Sequence, residues 1–122
     1  MAGILLVAVG SAAGGVCRLL LSRWMLHALG DVFPWAILFV NVSGSFLIGY
    51  FTGLRMPSPQ QLLLTTGFCG GFTTFSTFSF ELLDLIRRGQ TTKAALYAVV
   101  SVVVCLAATW LGWRWGSSAA QH

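Results

Sequence analysis

The sequence predicts an all-α integral membrane protein with four transmembrane helices. Three observations carry that prediction. Of the 122 residues, 57% are hydrophobic and only 8% charged, with a mean hydropathy of +0.83, whereas soluble domains carry about 25% charged residues. Four segments are long and apolar enough to cross a hydrocarbon core, which takes about 20 residues as a helix. The breaks between those segments are short and rich in Gly, Pro and charge, as connections between spans should be.

The first span is predicted over residues 4–25. Its apolar run begins at once after Met1 with no basic region, so it does not read as a secretory signal. Gly30 and Asp31 mark the following loop, which is read as holding His27, and Pro34 suits the first turn of a second span over 34–54. Arg55-Met-Pro-Ser-Pro59 is a turn whose prolines end that helix. A third span covers 62–86, and Gly89 is placed to terminate it. The fourth covers 94–113, completing a single membrane domain over 1–122. Trp24, Trp35, Trp110, Trp113 and Trp115 lie near span ends, as an interfacial aromatic belt would.

Four spans put both termini on one side. The opposite side then carries Arg23, Arg87, Arg88 and Lys93, with Arg18 about a turn deeper, against Arg55 and Arg114 on the terminal side. The positive-inside rule assigns the Arg87/Arg88 loop to the cytoplasm, but the excess is small and is compatible with insertion in both orientations. Small-xxx-small pairs occur at Gly10/Gly14, Ser45/Gly49, Gly49/Gly53 and Gly67/Gly71. They let helices approach closely, either within one subunit or between subunits. A homodimer is favoured, because one copy is small to house a polar path.

Polar residues are concentrated where lipid should forbid them. Gly67 to Glu81 holds three glycines, three threonines and two serines among five phenylalanines. Such residues are tolerated at membrane depth where protein or a watery cavity surrounds them. Asn41 in the second span needs a partner. It is either an interhelical hydrogen bond or a donor lining a path. Ser45 and Gly49 follow it at helical spacing. Ser101, Cys105 and Thr109 are spaced by four, with Tyr97 a turn earlier, and form one weakly polar stripe on the fourth span. Phe75 and Phe78 share a face, and their ring edges carry partial positive charge that can meet an anion without binding it tightly.

Other chemistry is excluded. Cys17, Cys69 and Cys105 match no zinc or redox spacing, and His27 and His122 form no metal cluster. No triad, carboxylate pair or phosphate loop is present, so an enzyme is not expected. The net charge of +4 is dispersed rather than a nucleic-acid footprint. The main alternative is a small dual-topology, proton-coupled multidrug or cation exporter. That class generally needs an acidic residue in mid-membrane. Spans one, two and four have no ionisable residue at their centres, and Glu81 and Asp84 come late in span three. Glu81 is left to cap a pore mouth, steer ions, or pair with Arg87 or Arg88. A non-transporting anchor would explain the apolar spans but not polar faces on three of them.

Three motifs occur in order: Gly14-Gly-Val-Cys-Arg18, Phe39-Val-Asn-Val-Ser-Gly44 and Gly67-Phe-Cys-Gly-Gly-Phe-Thr-Thr-Phe-Ser-Thr-Phe78. In this arrangement the chain resembles, over essentially its whole length, the Fluc (CrcB-type) family of bacterial fluoride channels. The resemblance implies an antiparallel, dual-topology homodimer in the bacterial inner membrane, with two fluoride pores along the subunit interface and passive export of cytoplasmic fluoride. It implies pore roles for Asn41, Phe75, Phe78, Ser101, Cys105 and Thr109, and a vestibule role for Arg18. It also implies a third helix broken at its centre, where the backbone carbonyls of Gly70 and Thr73 hold a structural sodium ion on the dimer axis. Cys105 departs from the family pattern, which has a hydroxyl there, and Tyr97 stands two positions before the level of a pore-facing aromatic.

Overall fold

The computed structural model describes residues 1–121, and its regular elements are all helices, with no strand among the described residues. Helix α1 (Ala2–Leu29) overruns the first predicted segment at both ends, so His27 lies on a helix rather than in a loop. Gly30, at φ +77°, ends it by donating its N–H to the Leu26 carbonyl at 2.9 Å. Helix α2 (Trp35–Gly53) starts one residue after Pro34, which caps it from outside instead of occupying its first turn. It stops at Gly53, ahead of both prolines, where Arg55 turns the chain with φ +55°.

Pro57 and Pro59 therefore open the next helix rather than close α2. Helix α3 (Ser58–Leu62) begins with Pro57 as its cap, and Pro59, inside the first turn, lacks only an N–H that would have gone unpaired there. A π-helical segment (Leu63–Cys69) follows, then the single turn α4 (Gly70–Phe72). Thr73 and Thr74 are extended, and helix α5 (Phe75–Arg87) starts immediately after them. Gly89, at φ +79°, lets the Gly89 and Gln90 N–H groups return to the Ile86 and Leu85 carbonyls, the paired closure that satisfies a helix's last carbonyls. Helix α6 (Thr91–Ala120) completes the chain and runs well beyond residue 113.

Helices α1, α2 and α6 are each long and apolar enough to cross a membrane. The 19 residues of α2 rise about 28 Å, close to a hydrocarbon core of about 30 Å. Residues 58–87 are instead divided among α3, the π-helical segment, α4 and α5.

Glycine decides how these helices pair. A Cβ on Gly10 would strike the backbone at Leu63 and Phe68, one on Gly14 the backbone at Phe68 and Phe72, and one on Gly71 the backbone of Ser11. Residue numbers rise together across this seam, so α1 runs parallel to the 63–72 segment. The second seam is built the same way. Gly49 and Gly53 lie against Thr109, Trp113 and Ser117, while Gly112 and Gly116 lie against Phe46 and Tyr50. Helices α2 and α6 are thus parallel as well, which a four-crossing chain requires of its second and fourth crossings. The glycine pairs are used within one chain. Gly112 and Gly116 complete the second seam, and the sequence reading passed over them.

Near the other ends of α2 and α6, a small apolar core joins α2, α5 and α6 through Ile37, Phe78, Leu85, Ala94 and Tyr97. The outer surfaces are apolar: Ile4, Leu5, Val102, Leu106 and Trp115 are all exposed. In a membrane, lipid is the solvent for that surface, so packing and close backbone contact hold the helices together rather than hydrophobic exclusion from water.

Candidate functional site

The site begins with a backbone problem. The extended Thr74 leaves an N–H and a carbonyl that no helix satisfies, at a position 9% exposed. Asn41 of α2 answers both. Its Oδ1 accepts from the Thr74 N–H at 2.9 Å and its Nδ2 donates to the Thr74 carbonyl at 3.1 Å. The Thr74 hydroxyl then caps α5, accepting the Thr77 N–H at 3.2 Å and donating to the Thr77 hydroxyl at 3.1 Å. A Thr cap of this kind is worth about 1 kcal/mol.

The end of α4 is held with equal care. Thr73 donates both its N–H (3.0 Å) and its hydroxyl (2.9 Å) to the Cys69 carbonyl. Arg18 donates Nε to the Gly71 carbonyl at 3.2 Å, placing a cation at a helix C-terminus, where the dipole favours it. Among the described residues, no group donates to the carbonyls of Gly70 or Thr73. Free carbonyls of this type are hard oxygen donors suited to a hard cation.

A groove of about 290 Å³ opens beside this interruption. Asn41, Ser45, Phe75, Phe78, Ser101 and Cys105 line it, together with Thr73, Thr74, Cys69 and the apolar Gly44, Ile48 and Val102. Asn41 uses one amide hydrogen on Thr74 and has a second to offer. Ser101 is 6% exposed, and its hydroxyl has no protein partner among the described residues. The Phe75 and Phe78 rings are 5.7 Å apart, yet Phe75 is 78% exposed and Phe78 buried. Phe78 is held from behind by Tyr97, ring edge to face at 5.0 Å.

Five of the six residues proposed for a path from the sequence therefore meet on one groove. Thr109 does not join them: its hydroxyl donates to the Cys105 carbonyl at 3.0 Å, and it lines a separate apolar hollow with Trp110 and Trp113. Arg18 and Gly70 also lie off the groove. Tyr97 is fully buried and donates to Glu81 at 2.7 Å, while Arg88 pairs with Asp84 at 3.0 Å. Of the partners the sequence offered Glu81, neither arginine is used. Glu81, Asp84 and Asp31 instead line a cavity of about 200 Å³ with Phe33, Trp35 and Arg88.

Sequence reasoning missed Thr74. A Thr three residues ahead of Thr77, just before an apolar run, carries the signal of a helix start. Once a helix start is placed there, the stranded backbone and its need for Asn41 follow.

Fold and site together define a multi-pass helical membrane protein with a neutral, weakly polar groove built around non-helical backbone. A family model described as CrcB-like protein, Camphor Resistance (CrcB), matches residues 5–113. Similar chains include the "Fluoride-specific ion channel FluC" of Methylocella silvestris, 42% identical over 113 residues that span 87% of this chain and 86% of that one. Proteins of the same name from Rhizobium meliloti and Nitrobacter winogradskyi are each 46% identical. The first match covers 89% of this chain and 91% of the relative, the second 86% and 87%. The chain belongs to the CrcB-like family and is a multi-pass bacterial membrane protein.

Proposed function

We propose that this protein is a fluoride-selective passive channel that exports cytoplasmic fluoride and so relieves fluoride toxicity. The relatives' names point to fluoride. The observation that carries the mechanism is that Asn41, Phe75, Phe78, Ser101 and Cys105 converge on a groove with no acidic or basic residue in its lining. Fluoride is small and strongly hydrated, so donors must replace its water in stages. The free Asn41 N–H, the unpartnered Ser101 hydroxyl and the Cys105 thiol are such donors. The edges of Phe75 and Phe78 hold an anion weakly enough for it to leave. Thr109 extends the track only when its hydroxyl turns away from the Cys105 carbonyl. A proton-coupled exporter needs a carboxylate where its substrate sits, and the groove offers none.

The functional unit is an antiparallel, dual-topology homodimer with two paths. The exposure of Phe75, a groove-lining ring, on a single chain supports it. In that unit residues 58–87 form one crossing, interrupted at Thr73 and Thr74. The Gly70 and Thr73 carbonyls of both subunits would hold a sodium ion, which supplies positive potential near the paths when bound. Arg18 keeps four of its five guanidinium N–H groups free after its bond to Gly71, and it draws fluoride toward the entrance.

Passive conduction makes two demands. Fluoride release from proteoliposomes should require a charge shunt such as valinomycin with potassium. Release that needs a pH gradient and ignores the shunt contradicts the reading. Phe75→Ile and Phe78→Ile should each slow release by about tenfold or more, equivalent to about 1.4 kcal/mol of barrier, with the dimer intact on size-exclusion chromatography. Unchanged release in both would reduce the rings to packing.

A further inference from the structure

Two of the three cysteines meet on the groove. Cys69 comes from the π-helical segment and Cys105 from α6, 36 positions apart in sequence, and both are free thiols lining the same cavity. Cys105 is half-buried and Cys69 buried, whereas Cys17 is exposed on the outside of α1. One turn before Cys105, the Ser101 hydroxyl is more than nine-tenths buried and unpartnered, and it lines the same cavity. The pocket thus offers two soft sulfur donors beside a buried hydroxyl with no protein partner among the described residues. No carboxylate lines it to favour a hard cation, and no lysine or arginine lines it to repel a soft one.

We propose that this groove is a binding site for a thiophilic monovalent cation, coordinated by the Cys105 and Cys69 sulfurs. Thiolate sulfur selects soft ions of the Cu(I) and Ag(I) kind over hard ones. Binding is a proton exchange without redox change. Each thiol gives its S–H proton to water and forms an S–metal bond, so two protons leave for each ion held between both sulfurs. An ion seated there lies in the groove that Asn41 and Phe78 also line. On the proposed reading of the groove as a fluoride path, it closes that path.

The ligand part and the blocking part separate in one experiment with silver nitrate in chloride-free buffer. Intact protein in detergent is titrated with Ag⁺ while proton release and protection of thiols from iodoacetamide are recorded by mass spectrometry. Protection of Cys105, with two protons released per ion, is the expected result, and the buried Cys69 reports through its variant. Alkylation of Cys105 undiminished by Ag⁺ overturns the site whatever the protein conducts. In proteoliposomes, fluoride efflux is compared with and without Ag⁺ for each variant against itself. Losing even an outer-shell partner costs roughly 10- to 100-fold in metal affinity. Cys105→Ser and Cys69→Ser should therefore each raise the half-blocking Ag⁺ concentration at least about tenfold, and Cys17→Ser should leave it in place. Block that survives Cys105→Ser, or is indifferent to Cys69→Ser, contradicts the two-thiol arrangement. Absence of fluoride efflux before any silver is added would instead count against the channel reading, and the thiol-protection result would still stand.

Discussion

Two of the places where helices α2 and α6 meet are built on opposite plans. Toward their C-terminal ends, Gly49 and Gly53 face Gly112 and Gly116, and the backbones approach so closely that any Cβ would collide. Toward the middle, Asn41 and Ser45 of α2 and Ser101 and Cys105 of α6 border a groove of about 290 Å³. The seam removes side chains to bring helices together. The groove keeps polar side chains, and Thr73 and Thr74 line it beside them.

The comparison breaks most severely at the seam. Filling a well-packed site costs about 1–3 kcal/mol even where side chains can yield, and at Gly112 the obstacle is the backbone at Phe46 and Tyr50. Gly112→Val should therefore give little or no monodisperse protein by size-exclusion chromatography, whereas Ser45→Ala in the groove should purify normally. Comparable yields for both would mean the seam is looser than its geometry.

At the groove, Asn41 carries both structure and path. Asn41→Ala strands the Thr74 N–H and carbonyl, each at about 1–3 kcal/mol. The melting temperature should fall by several degrees and fluoride release should drop with it. Asn41→Asp still accepts from the Thr74 N–H but faces the Thr74 carbonyl with a negative oxygen, and it adds an anion to the path. It should abolish release while losing less stability than Asn41→Ala. The reverse order would show that Asn41 is purely a structural clamp.

The smallest contrast separates two hydroxyls on α6. Ser101→Ala removes an unpartnered donor from the groove and should slow fluoride release severalfold with stability unchanged. Thr109→Val removes a hydroxyl already bonded to its own helix. Valine keeps the shape of Thr109 where it packs at the seam, so stability should change little and release should be nearly unchanged. Equal slowing in both variants would extend the path to Thr109.

Much of this was legible in the sequence, and the reasons differ by region. Continuous apolar runs identify α1, α2 and α6, because spanning lipid demands length and hydropathy that local residues report directly. Helix ends were read less well. Pro57 and Pro59 are equally good at stopping one helix and starting the next, and only the position of Gly53 decides between them. Site composition was visible because Asn41, Ser101 and the phenylalanine pair are costly or unusual in a greasy span. What could not be read was pairing. That Asn41 clamps Thr74, that Tyr97 rather than an arginine holds Glu81, and that the glycines pair within one chain all depend on which faces meet in three dimensions. A single span's periodicity does not contain that information.

The most direct test of the central claim is ion release from proteoliposomes loaded with equal fluoride and chloride, shunted with valinomycin and followed by ion-selective electrodes. The proposed path predicts rapid loss of fluoride while chloride stays inside. Release of both anions at similar rates would contradict a path built from the Asn41 amide, the Ser101 hydroxyl and the edges of Phe75 and Phe78.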